Sequence, residues 1–291
     1  MPSPADEGRF ELLRAVGAVT VALPGDADHL LAALGLPSWS RAEHTEVFTL
    51  ELPPYASVHL GPEGKLGGEG ADRVAGLWRS LGLDPPTDAD HLHGLLSLYA
   101  QLGEASSSCE TEAARRRLDH ARTTLLWEHL WPWVPAYLEA VERQYPAAAS
   151  WAALTGQVLE REAMASPPAR ALPLALRGAP PPLRAEERRA ELLDALVVPV
   201  RTGFLLTASD LAVAAAATGC GLRRGERRYS LQAMVDQDAA GTLGWLSEHA
   251  STWAERHRRR PAVAFDPARF FAERAANSAE VLGRMARRLA R

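Results

Sequence analysis

Apolar residues recur three and four positions apart along most of the chain, the repeat of a helix with one buried face. The clearest stretch is 87–102, TDADHLHGLLSLYAQL, in which Leu92, Leu95, Leu96, Tyr99 and Leu102 form one stripe. Pro85 and Pro86 precede it and cannot sit inside a helix, so they mark its start. Thr87 or Asp88 is placed to cap the first turn, and acids there suit the positive end of the helix dipole. The same spacing predicts helices over 9–23, 28–34, 71–81, 110–145 and 151–164, then over 185–196, 209–218, 227–236, 239–256 and 267–290. Pro132 and Pro135 should kink or split the long 110–145 stretch near Trp131. Residues 43–52 alternate like a strand but have no strand to pair with, and read as helix or extended connector. Residues 55–70 read as a glycine-rich loop. The fold class is all-α.

Composition agrees: Ala, Leu, Arg and Glu dominate and β-branched residues are sparse, which favours helix. The 47% hydrophobic fraction suffices for a packed core. Charge changes the picture. Residues 1–165 carry 12 Lys and Arg against 23 Asp and Glu, a net −11, whereas 166–291 carry 20 against 13, a net +7. Such a split suggests two modules with different partners, or two halves that dock on each other. The proline-rich stretch ASPPARALPLALRGAPPP lies between them. The organisation read from the sequence is therefore a helical domain over 1–165, a linker over 166–184 and a basic helical module over 185–291. Two cysteines exclude a disulfide framework and a CxxC zinc site. The acidic start lacks the apolar core of a signal peptide, and Asp210 interrupts the most apolar run, so a cytoplasmic chain without membrane insertion is expected.

Candidate chemistry is sparse. Gly64-Lys65 lacks the glycine five positions earlier and the following Ser or Thr of a phosphate loop. Nine histidines are present, but none stands in HExxH spacing, and His91 and His93 fall on different helix faces, so no metal or other cofactor is expected. No nucleophile motif accompanies Asp90–His91, and the chain is not read as an enzyme. Taken as residues alone, Asp90–His91 is a helix start beside an exposed histidine, with acid–base pairing the alternative. Trp78, Trp127, Trp131, Trp133, Tyr99 and Tyr137 are core residues or the lining of a groove for an apolar peptide. Residues 207–235 contain two helices around a glycine turn with Arg223, Arg224, Arg227 and Arg228 nearby. That arrangement is an arginine-rich solvated corner or, as the alternative, a helix-turn-helix on DNA phosphates.

The order of motifs resembles the TorD/DmsD/NarJ family of molybdoenzyme maturation chaperones. The carriers are the Pro53-Pro54-Tyr55-Ala56-Ser57 loop, the Asp90-His91 helix start and the HLWPWVPAY stretch, in which His129, Leu130, Trp133, Pro135 and Tyr137 match. The family's proline before Asp-His is Ala89 here, and its final aromatic is Tyr rather than Phe. The likeness covers about 9–165. It implies a TorD-like helical bundle with an additional C-terminal helical module. It also implies a non-catalytic cytoplasmic protein. Such a protein binds the twin-arginine leader or N-terminal segment of a molybdopterin oxidoreductase catalytic subunit and assists cofactor insertion before export. A homodimer is compatible with the proline-glycine hinges. On this reading the peptide-binding residues are Tyr55, Trp78, Asp88, Asp90, His91, Trp127, His129, Trp131, Trp133 and Tyr137. Asp88 and Asp90 would meet arginines at the mouth of a groove, and Trp78, Trp127 and Trp131 would cover the apolar run.

Overall fold

The computed structural model describes residues 4–22, 24–222, 225–260 and 266–291. Among them there are helices and no strand. The chain forms two compact units, one of Met1–Ser57 with Leu66–Pro173, the other of Val58–Lys65 with Leu174–Arg291.

The first unit contains α1 (Pro4–Ala18), α2 (Pro24–Ala33), α3 (Arg41–Thr45) and the π-helix π1 (Glu46–Glu51). The short α4 (Ala56–Leu60) crosses into the second unit. α5 (Gly68–Ser80), α6 (Leu92–Ser107), α7 (Glu112–Thr124), the π-helix π2 (Leu125–Leu130), α8 (Val134–Gln144) and α9 (Pro146–Ala165) complete the first unit. Its core is α6, whose stripe residues Leu92, Leu95, Leu96 and Tyr99 are fully buried. α6 packs on α1 and α7, and α9 packs on α8 and α1. Glu162 of α9, 2% exposed, accepts from Arg9 of α1 and from the Tyr99 hydroxyl of α6. One buried carboxylate thus ties three helices, and both of its hydrogen-bonding partners are needed to offset its desolvation. The Trp151 indole adds a bond from α9 to the Val16 carbonyl, 2.9 Å away.

The second unit contains α10 (Leu174–Arg177), α11 (Arg189–Leu196), α12 (Pro199–Thr202), α13 (Ala208–Thr218), α14 (Arg227–Gln237), α15 (Ala239–Arg259) and α16 (Pro267–Leu289). α15 and α16 form its main pair. α12 ends at Gly203, with φ of 81°, where a Cβ would lie 2.3 Å from the Ala275 nitrogen of α16. Only glycine satisfies both the left-handed backbone and that approach. The bend is tied down by His257, whose Nε2 lies 2.8 Å from the Gly203 carbonyl, and by Ser278, which donates to the Thr202 carbonyl at 2.8 Å. Gly64, brought from the first half of the sequence, sits in the same unit. A Cβ there would lie 2.9 Å from the Val197 carbonyl.

Several expectations change. Residues 55–70 contain α4 and the start of α5 rather than loop alone. Residues 87–90 are a turn, and the helix after them begins at Leu92 with His91, not Thr87 or Asp88, as its N-cap. The 43–52 stretch is helical, as α3 and π1. Part of 166–184 is packed: α10 lies within it, and Ala175, Leu176 and Leu183 are buried. The predicted break near Trp131 is present, with a turn at 131–133 and Pro135 in the first turn of α8.

Candidate functional site

The Asp90–His91 pair is a junction between two helices. The Asp90 carboxylate accepts the Ser57 N–H at 2.8 Å, and its carbonyl accepts the Ala56 N–H at 3.0 Å, so Asp90 closes the start of α4. His91 Nδ1 accepts the His93 N–H at 3.1 Å and closes the start of α6. Return bonds fix the turn: Leu92 N–H donates to the Pro54 carbonyl, and His91 N–H to that of Asp88. Each cap satisfies an orphan donor of a helix start. The sequence reading has this pair exposed at the mouth of a groove. Asp90 is instead 3% exposed and His91 6% exposed, because the caps draw both side chains inward.

Tyr55 meets the His91 ring edge-on with centroids 4.6 Å apart, and the Trp78 indole donates to the Ala89 carbonyl. Both rings are partly accessible, while Asp88 is exposed. Burial, helped by His93, pushes His91 down to about 4. Burial also lowers His93 and, with Asp88 and Asp90 adding, raises Tyr55. His91 is therefore a neutral imidazole at physiological pH, as its acceptor role at Nδ1 demands.

The second group lies on π2 and α8. In π2 the Trp131 N–H bonds back five residues to the Leu126 carbonyl, at 2.8 Å. This wider turn puts Trp127 and His129 inside, both 7% exposed, and leaves Trp131 half-buried. Trp127 and Trp131 meet edge-on at 5.7 Å. Trp133, 1% exposed, donates its indole N–H to the His129 carbonyl, and Tyr137 is fully buried. Burial, then the Arg73 charge, pushes His129 down to about 4, and burial raises Tyr137 well above its ordinary value. His129, Trp133 and Tyr137 are thus core of the first unit.

A cleft of about 590 Å³ opens beside this group. One wall is the α7–π2 face, with Asp119, Arg122, Thr123, Trp127 and Glu128, and the other is the segment 165–171. The Trp127 indole donates to the Pro167 carbonyl at 2.8 Å. Of the residues singled out in the sequence, Trp127 alone lines this cleft. Asp119, Thr123 and Trp127 stand four apart on one helical face, a spacing from which the wall could have been drawn.

In the second unit Arg227 donates to the Leu206 carbonyl, and Arg228 pairs with Asp194 at 2.6 Å. Both are engaged within the fold, which weakens the DNA alternative. Arg223 and Arg224 lie outside the described residues. Among the described residues no group of three or more His, Cys, Asp or Glu is placed to hold a metal ion, and no helix is long and apolar enough to cross a membrane.

No curated protein matches the chain. Residues 27–139, which include every sequence-predicted site residue from Tyr55 to Tyr137, match the family model described as nitrate reductase delta subunit, the NarJ/TorD-like family that the motifs resemble.

Proposed function

We propose that the chain is a cytoplasmic maturation chaperone for a molybdopterin-dependent oxidoreductase. It binds the twin-arginine leader or N-terminal segment of that enzyme and takes part in cofactor insertion and assembly before export, with no bond made or broken. The match of 27–139 to the nitrate reductase delta subunit family carries this reading. The site residues divide into two roles. Tyr55, Trp78, Asp88 and Trp131, which retain accessible surface, touch the client, together with the wall that Trp127 lends to the cleft. Asp90, His91, His129, Trp133 and Tyr137 are buried and hold the frame. The net −11 of residues 1–165 suits an arginine-bearing partner.

The test is affinity purification of the tagged full chain from its native host, with identification of what is retained. A molybdopterin oxidoreductase enriched over an untagged control is the expected result. Its absence, together with salt-dependent retention of the chain on DNA, would reject the reading.

A further inference from the structure

Residues 166–173, SPPARALP, leave α9 as an irregular strap that forms one wall of the cleft. The strap is anchored at its ends, where Ser166 bonds the Tyr99 hydroxyl and Pro173 is buried, whereas Pro167, Pro168, Arg170 and Ala171 between them are exposed. Its Pro167 carbonyl is tied to the Trp127 indole, and Arg170 lines the same cleft as Asp119 and Glu128 of the opposite wall.

We propose that the cleft receives an extended, arginine-bearing and otherwise apolar segment of the client, and that the strap occupies its edge as an intramolecular competitor. The proposal rests on the chaperone reading above. The strap has the chemistry of the ligand it would hold off: Arg170 followed by Ala171-Leu172-Pro173 sets a positive charge before an apolar run. The facing wall carries carboxylates at Asp119, which also accepts from Ser106 and lies 4.0 Å from the wall's own Arg122, and at Glu128, with an indole at Trp127. An arginine that shares Asp119 with Arg122 or meets Glu128, and an apolar run against Trp127, suit both parts of such a segment. The Trp127 N–H needs an acceptor, and a backbone carbonyl of the client replaces that of Pro167 with little net change in hydrogen bonding. Two adjacent prolines keep the strap extended at low entropic cost, so it competes without being tightly packed. The cleft is within the size range of ligand sites.

The experiment measures fluorescence anisotropy of a labelled synthetic peptide, with paired arginines followed by a leucine–alanine run, on the full chain. Two strap variants are compared with the native protein: Pro167→Gly/Pro168→Gly, and the single exposed change Arg170→Ala. If the strap fills the cleft nine-tenths of the time, its release tightens Kd by about tenfold. An unlabelled peptide of sequence SPPARALP should also displace the labelled one. Unchanged or weaker binding by both variants overturns the competitor role while leaving the chaperone reading in place. No binding by the native protein or either variant overturns the chaperone reading and the strap proposal with it.

Discussion

Acid should loosen the first unit through His91 in a way that can be calculated. The imidazole caps α6 as a hydrogen-bond acceptor and stands at about 4 rather than at its ordinary 6.5. A base whose folded value is depressed binds protons more readily in the unfolded chain. Stability is therefore complete above 6.5, falls as pH drops below it, and finishes falling near 4. With those two values, moving from pH 8 to pH 5 costs about 2 kcal/mol, and the full shift is worth about 3.4 kcal/mol. His129, also near 4, contributes a similar loss. His91→Asn keeps a side-chain oxygen able to accept the His93 N–H, since Asn is a favoured N-cap, but cannot titrate. Urea unfolding followed by tryptophan fluorescence at pH 8 and pH 5 gives the loss for each protein. The variant should lose about 2 kcal/mol less than the native chain. Comparing pH differences removes the constant cost of the missing ring contact with Tyr55. Equal losses in the two proteins would refute the assignment of His91 as a buried neutral cap.

Other changes give separate outcomes. Asp90→Ala leaves the Ser57 N–H without its carboxylate acceptor, and thermal unfolding should report a loss of about 1–3 kcal/mol. Glu162→Leu removes the buried carboxylate that accepts from Arg9 and the Tyr99 hydroxyl and should cost about 3 kcal/mol in denaturant unfolding. Gly203→Ala drives a methyl into the backbone of α16 at a positive φ, so the second unit should melt lower by several degrees in calorimetry. Asp88→Asn removes an exposed charge and should weaken the labelled arginine peptide in anisotropy while leaving the melting temperature within a degree or so.

The helices were legible wherever one local pattern decides them. The α6 stripe and the break at Pro132–Pro135 are examples, because burial periodicity and a missing N–H act within a few residues. The start of α6 is hidden from the local pattern for the opposite reason. Thr87 and Asp88 are good caps by type, but the turn at 87–90 is held by bonds to Pro54, Ala56 and Ser57, more than thirty residues away. The same distance hid the burial of Asp90, whose partner is a backbone N–H that no side-chain motif announces. π1 and π2 carry no sequence signature at all, since a wider turn is selected by what packs around it. The cleft was half legible: Trp127 stood out as an aromatic, but the strap opposite it read as linker.

The placement of Val58–Lys65 with the second unit has a topological consequence. The polypeptide passes from one unit to the other three times, so the units are interlaced along the sequence rather than strung end to end. A protease that cuts the exposed strap makes two fragments, and neither is a unit. The N-terminal piece retains Gly64 without Val197 to rest against, and the C-terminal piece retains Val197 without Gly64. Such a nick should leave the fragments associated until denaturant separates them. Genetic shuffling of the C-terminal half between relatives would have to carry eight residues from the first half along with it.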